Sequence, residues 1–455
     1  MKYIGHFIRS NNLTKENIKN QLFFFSKEAF QNVVLNSKCG ITIPSKELYS
    51  KNIPTNDINI FNSFSPLLCI YKKATTKMIK VNDTLIWNED KFKKEINITG
   101  NFLMCLSLLE VAEFNEKLKN HDASKYNLSK FYVNLAQKQL DFFISYLRSS
   151  DGVFIDKKDI SSDITNEIKF EEVNKVFNYY DQAFIMAALC KYSDLSDSKI
   201  GKGYKTFALE ILQMFEEYRE ELYLSPFNQL PKLCFGLNLY YTYSGNKDAL
   251  TLLLDLTDLA FEKYSETNIS NQCIMLLNAY LLFKHSGFLK FLDLALEIST
   301  KLLELYSEET GFYNKTSETN DINYYCDEIV LYLVSMLLHS EISDNENLEE
   351  LISKIYKTLI VDSGIVSSWP ESPMLDDVER YNNYSREVED LLEDINFRLE
   401  GVNSTESSEQ VLGFIKNITF NKRKNSFNTS KPSFDSTKNM FIYFICIFLT
   451  KNKLI

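Results

Sequence analysis

The feature that most constrains this chain is an alternation of two kinds of helical segment from about residue 98 onward. One kind is apolar nearly all round: NFLMCLSLLEVAEF from Asn101, YYDQAFIMAALCKY from Tyr179, LPKLCFGLNLYYTY from Leu230, NQCIMLLNAYLLF from Asn271 and CDEIVLYLVSMLL from Cys326. The other kind is amphipathic. In YKTFALEILQMFEEYREEL, from Tyr204, one face carries Phe207, Ile211, Met214, Phe215 and Tyr218, and the other Glu210, Gln213, Glu216, Glu217 and Glu220. A helix apolar on every side must be buried on every side, whereas an amphipathic one lies between core and solvent. Strict alternation therefore builds an inner and an outer layer, hairpin by hairpin. The inner helices begin near Asp181, Lys232, Gln272 and Asp327, at steps of 40 to 55 residues, the period of a repeated helical hairpin.

Five such hairpins lie between about residues 98 and 362. The run MFIYFICIFL from Met440 supplies a sixth inner helix, and the amphipathic TKENIKNQLFFFSKEAFQNVVL from Thr14 an outer partner for it. Ten apolar residues are too few to cross a bilayer. Six inner and six outer helices close a ring, so the expected fold is an all-α (α/α)6 toroid forming a single domain over residues 1–455. Only 13 glycines and 8 prolines punctuate the chain, which suits long helices. Two segments break the repeat. Residues 41–97 contain SPLLCIYKKATTKMIKVNDTLIW, read as a small β-hairpin insertion. Residues 371–438 open on the acidic VEDLLEDI and run into Ser/Thr/Asn-rich sequence, read as a polar insertion or lid. Outer helices tend to end in a glycine phrase, SSDGVFID from Ser149, SEETGFYN from Ser307, VDSGIVSSW from Val361 and NSKCGITIP from Asn36. The glycines are expected at the helix-stopping position, with the connections ringing one mouth of the barrel.

The formal net charge of −11 repels phosphate backbones, so nucleic acid is excluded as a general partner. The one basic run, NKRKN from Asn421, reads as a solvated loop. The N-terminal sequence has no apolar run of signal-peptide length, and no membrane association is expected. The eight cysteines are scattered singly, without CxxC spacing, and the four histidines form no zinc pattern. Buried free thiols suit a cytoplasmic location, and no metal or cofactor is expected. Oligomeric state is left open.

The phrase NYYDQAFIMAALCKYSD, from Asn178, resembles the YDQAF-type helix start of N-acylglucosamine 2-epimerase-like proteins. It is also similar to the corresponding helix in the six-hairpin region of certain thioredoxin-domain proteins, and the recurrent DGxF phrase is shared with both groups. The resemblance covers about residues 98–370 and implies the six-hairpin toroid, which hosts many functions. It also implies carbohydrate chemistry, with pocket histidines as the proton-transfer groups of the epimerases. Here the chain departs from the family. Its histidines are only His6, His121, His285 and His339, and the last two fall at the C-terminal ends of inner helices, where a helix dipole favours a cation. No thioredoxin CxxC is present.

In a toroid the pocket faces the N-termini of the inner helices, and two of those starts echo each other. Tyr179-Tyr180-Asp181-Gln182 matches Tyr325-Cys326-Asp327-Glu328 in the pattern Tyr-x-Asp-Gln/Glu, about three hairpins apart, which is the opposite wall of a six-membered ring. Inner helices packed about 8–10 Å apart would bring such carboxylates to roughly 6–10 Å, the range for inverting glycoside hydrolysis. Asp181, Asp327 and Glu328 are therefore the candidate acid/base groups, though Asp in a first turn is also favoured by the dipole alone. Tyr180, Gln182, Tyr325, Asn271 and Gln272 are candidate substrate-binding residues, the last two reading equally as caps. Trp369 and Glu371, in SSWPESP, are candidates to enter the same mouth, with loop packing as the alternative for the tryptophan. Trp87 reads as packing or as closing the mouth. Two functional readings stand. One is a carbohydrate-active toroid, glycoside hydrolase-like or sugar epimerase-like, taking a small carbohydrate or other polyol. The other is a non-catalytic toroid scaffold that binds a ligand or a protein partner.

Overall fold

In the computed structural model the described residues are 13–49, 53–161, 167–173, 176–196, 198–264, 268–343, 348–374, 376–381, 387, 397–399, 409–429 and 432–453. The helices in chain order are α1 (Lys15–Asn36), α2 (Thr55–Asn62), α3 (Ile98–Glu116), α4 (Ala123–Tyr146), α5 (Tyr179–Leu195), α6 (Lys199–Glu217), α7 (Arg219–Tyr223), α8 (Leu230–Ser244), α9 (Lys247–Glu262), α10 (Ile269–Ser286), α11 (Leu289–Glu304), α12 (Cys326–Ile342), α13 (Leu348–Ile355) and α14 (Ser436–Lys451). A π-helical turn, Tyr356–Asp362, continues α13.

The all-round apolar segments become α3, α5, α8, α10, α12 and α14, and each packs against the next. The circle closes where α14 meets α3, and α1 packs on α14 from outside, so the two ends of the chain are joined. Every residue of α5 from Asp181 to Tyr192 is buried, as is every residue of α14 from Ile442 to Leu449. The amphipathic segments α4, α6, α9, α11, α13 and α1 form the outer ring. The fold is thus the all-α (α/α)6 toroid, with small sheets only. Local sequence sets the helix starts. Thr14, Asn97, Asp122, Ser198, Asn246, Asn268 and Asp435 each cap a helix by accepting from a first-turn backbone amide.

The strands depart from the simple hairpin expected within 41–97. Only Ile79–Val81 and Thr84–Ile86 pair with each other, across a turn in which Asn82 and Asp83 take positive φ. Leu67–Ile70 instead pairs back to Gly40–Thr42, and Lys73–Thr75 pairs forward to Ser433–Asp435 at the base of α14. A Cβ on Gly40 would lie 1.8 Å from the carbonyl oxygen of Cys69. That glycine serves close strand approach rather than helix termination. Gly311, at φ 78°, turns the short Tyr306–Ser307 and Phe312–Tyr313 hairpin beyond α11. Of the four glycine phrases only Gly364 stands just past a helical end. The left-handed caps are Gly245 and Gly287, which stop inner helices.

The acidic VEDLLEDI stretch lies outside the described residues. Within the polar sequence after it, Asn417–Asn421 and Ser426–Thr429 form a hairpin whose exposed tip is the NKRKN run. It adds to Asp321–Tyr325 in register, Asp321 opposite Asn421 and Tyr325 opposite Asn417. Phe420 and Phe427 pack on Phe312, so alternate apolar residues anchor it although its composition is polar. Trp87 is buried edge-on against Phe434, which is packing. All eight cysteines are buried free thiols. Among the described residues no helix is long and apolar enough to cross a membrane.

At the C-terminal ends of the inner helices the ring is closed by an ionic cluster. Lys191 of α5 pairs with Glu113 of α3 at 2.6 Å, Lys451 of α14 pairs with Glu110 and Glu113, and the Tyr243 hydroxyl of α8 donates to Glu110 at 2.7 Å. His285 and His339 lie at this end. Each is held by a hydroxyl group of a neighbouring helix. His339 Nδ1 meets the Ser299 hydroxyl at 2.7 Å, His285 Nε2 meets the Thr242 hydroxyl at 2.9 Å, and burial lowers both imidazole pKa values.

Candidate functional site

At the opposite mouth, the first turns of α3, α8, α10, α12 and α14 line one cavity of about 1050 Å³. The third residue of each inner helix, in ring order, is Gly100, Asp181, Lys232, Asn271, Glu328 and Lys438. Of these, Lys232, Asn271, Glu328 and Lys438 line the cavity, and Asp181 does not. Gly100 leaves room for α14: a Cβ there would lie 3.2 Å from the Thr437 Cα.

Asp327 lines the cavity, and its two oxygens take the Lys438 ammonium at 2.6 and 2.7 Å. Burial pulls the Lys438 pKa down, but Asp327 more than reverses this and leaves the lysine above its usual value. Glu328 also lines the cavity. It accepts from the buried Tyr313 hydroxyl at 2.7 Å and pairs with Lys315 at 2.5 Å. Tyr325, 38% exposed, lies against both lysines, with the Lys438 ammonium 4.9 Å from its ring centre.

Asp181 sits one layer deeper, 1% exposed. It accepts from the Thr99 hydroxyl at 2.5 Å and the Asn178 amide at 3.0 Å, and Thr99 is what reaches the cavity. Burial, opposed by those two donors, pushes the Asp181 carboxyl up to about 7. Among the described residues none of the three carboxylates is bound to a backbone amide. Their positions therefore do not come from capping, and two of the three face open space.

Asn271 lines the cavity and is 5% exposed. It is not the cap of α10. Asn268 holds that role and accepts from the Asn271 backbone N–H at 3.1 Å, which leaves the Asn271 side-chain amide without a partner among the described residues. Tyr180 lies beside the cavity with the Lys232 ammonium 5.3 Å from its ring centre. The other candidates stand apart. Gln182 is buried and clamps the Phe154 backbone through two bonds, 3.1 and 3.0 Å. Gln272 is buried behind the cavity wall. Trp369 packs edge-on against Phe25 at 5.2 Å, and Glu371 borders a separate cleft of about 290 Å³ beside Lys27 and Glu379.

Sequence reading missed Thr99, Lys232, Lys315 and Lys438. Lys232 and Lys438 stand, like Asp181, in the first turn of an inner helix. Thr99 and Lys315 matter only through what they touch. Among the described residues no group of three His, Cys, Asp or Glu side chains could hold a metal ion.

No family model and no curated protein matches the chain. Solved structures do. A D-mannose isomerase aligns with a TM-score of 0.53 at 9% identity, over 90% of this chain and 95% of that one. A sugar epimerase from a ruminal bacterium aligns with a TM-score of 0.50 at 11% identity, over 78% and 88%. At such identities the likeness is one of fold.

Proposed function

We propose that this toroid is carbohydrate-active and holds a small sugar or related polyol in the cavity at the N-terminal mouth of its inner ring. The observation that carries the reading is the pairing of cavity carboxylates, Asp327 and Glu328, with a buried and unpartnered Asn271 amide in one 1050 Å³ space. Carboxylates, amides and a flanking Tyr325 ring are the groups that bind hydroxyls and sugar faces. A D-mannose isomerase and a sugar epimerase are among the solved structures that share the fold.

The carboxyls also suit acid/base work, because their surroundings divide the roles. Burial keeps Asp181 partly protonated near neutrality, so it is the acid, reaching the cavity through the Thr99 hydroxyl. Asp327, held beside the Lys438 ammonium, is the base. A second reading, a binding scaffold without turnover, is favoured by the lysine partners of both cavity carboxylates, since a charge already neutralised transfers protons less readily.

Thermal melts across a panel of mono- and oligosaccharides, followed by product analysis with any sugar that binds, test the proposal. A sugar at 100 times its dissociation constant should add about 2.7 kcal/mol to the wild type. Asn271→Ala should weaken that shift. Binding with turnover that Asp327→Asn removes identifies an enzyme, and binding without turnover identifies a scaffold. A wild type whose melt no sugar moves would sink the carbohydrate reading.

A further inference from the structure

Four lysines and three acids line the cavity, in a chain of net charge −11. Three of the lysines are paired: Lys72 with Glu95 at 3.2 Å, Lys315 with Glu328 and Lys438 with Asp327. The third acid, Asp435, caps α14 by accepting from the Lys438 backbone amide at 3.3 Å. Lys232 remains. Among the described residues its ammonium has no hydrogen-bond acceptor and no ion-pair partner, only the face of Tyr180. It stands in the first turn of α8, where the helix dipole opposes a cation, and the paired Lys438 adds a second positive charge nearby. Burial lowers its pKa against the attraction of Asp181 and Asp327. An isolated ammonium held in such a place by the protein alone is costly. One position along the ring, at the same first-turn position of α10, the Asn271 amide is buried, unpartnered and open to the same space.

We propose that Lys232, with the Asn271 amide beside it, seats an oxyanion carried by the ligand, so that the preferred substrates are anionic sugars, phosphorylated or carboxylated, rather than neutral ones. The proposal rests on the cavity being a sugar site, but the seat itself is a property of Lys232. Among the described residues the Ile269 and Ser270 backbone N–H groups at the start of α10, which lines the same space, have no acceptor, and this favours an anion there. A phosphate or carboxylate supplies the acceptor that Lys232 lacks, and the charge-assisted bond forms out of bulk water.

The test measures dissociation constants for inorganic phosphate, a hexose 6-phosphate, a hexuronate and the parent neutral hexose, on the full chain and on Lys232→Met. Methionine keeps the apolar stem and removes the charge. The expected result is tighter binding of the phosphate or the uronate than of the neutral hexose, and an affinity that falls as salt rises. Lys232→Met should then lose about 10- to 100-fold for the anion and less than about twofold for the neutral sugar. The arm that binds more tightly identifies the source of the oxyanion. Equal binding of neutral and anionic sugars, unchanged in Lys232→Met, overturns the proposal while leaving the sugar reading intact. Inorganic phosphate that binds through Lys232 while no sugar binds upholds the seat and removes the sugar reading. Should Lys232→Met not fold, the wild-type salt dependence decides alone: an anion affinity indifferent to ionic strength, or no anion binding, overturns the proposal.

Discussion

Asp181 makes a prediction at the scale of one residue, and its sign follows from burial. Its folded pKa, about 7, is above the ordinary carboxyl value of 3.8. The native state therefore holds a proton that the unfolded chain has released, and stability declines as pH rises from about 4 through 7. At about 1.4 kcal/mol per unit the full loss is on the order of 4 kcal/mol. Asp181→Asn keeps a donor for the Thr99 oxygen and an acceptor for the Asn178 amide, and never ionises. Its melting temperature should match the wild type near pH 5 and exceed it at pH 8.5, as paired calorimetric scans would show. A variant less stable than the wild type at both pH values would mean that the charged form is the native one. If the protein is an enzyme, the same titration should remove activity above about pH 7, because the acid must carry its proton. The sequence marked Asp181 by its phrase and helix position. It could not mark Thr99, which separates the carboxyl from the cavity, because that contact joins residues 82 apart.

Between elements, α8 packs closely on α5. A Cβ built on Gly236 would lie 2.6 Å from the Ala183 Cβ and 3.2 Å from the Ala183 carbonyl carbon. Gly236→Ala should therefore push the two helices apart at a cost of about 1–3 kcal/mol, although alanine is the better helix former. Chemical denaturation measures it, and an unchanged or raised midpoint would show that the crossing gives way freely. The hairpin built from Asn417–Asn421 and Ser426–Thr429 is tied to the site by a different route. Its sheet partner, Asp321–Tyr325, runs straight into α12 and so fixes Tyr325, Asp327 and Glu328. Phe420→Ala, at a buried position packed on Phe312 and Phe427, should cost about 3 kcal/mol and weaken ligand binding as well. Loss of stability with unchanged affinity would separate the hairpin from the site. Periodicity revealed the helices of the ring. It did not reveal this sheet, because short strands pairing across about a hundred residues leave only a faint local pattern in a polar sequence.

For the molecule as a whole, acid should be the sensitive direction. Glu379, only 3% exposed, pairs with Lys27 of α1 at 2.5 Å. Burial alone would raise its pKa, but Lys27, Lys125 and Arg398 outweigh it and hold the carboxyl down near 2. Glu113, in the cluster at the far end of the barrel, is likewise held near 2 by Lys191 and Lys451 against the opposing effect of burial. Folded pKa values below the ordinary 4.5 give stability that is complete above about pH 4.5 and lost as pH falls toward 2. Acid unfolding followed by circular dichroism should therefore steepen below pH 4.5, and Glu379→Gln should flatten that limb. At pH 7 the same variant should cost about 3–5 kcal/mol, because it leaves Lys27 buried with a weaker set of partners. A variant as stable as the wild type at pH 7 would show that Glu28, which also contacts Lys27, suffices.

Hydrophobic pattern by itself determined the toroid. All-round apolar and amphipathic helices in alternation leave two concentric layers as the way to bury both, and a short apolar helix at the end of the chain has to close the ring. The expectation that a pocket faces the N-termini of the inner helices came from the toroid architecture rather than from the pattern itself. Which of the first-turn residues share a cavity was decided only by the tertiary structure. Asp181 and Asp327 hold similar places in the sequence. Yet one lies under Thr99 with its carboxyl pushed up, and the other faces the cavity beside Lys438. Trp369 and Glu371, adjacent to a helix end in the sequence, are directed elsewhere by Phe25 and the cleft around Glu379. Helix burial repeats every few residues and is therefore written locally. A site is made of contacts between first turns that are 40 to more than 100 residues apart, and their distances are set by how the helices pack.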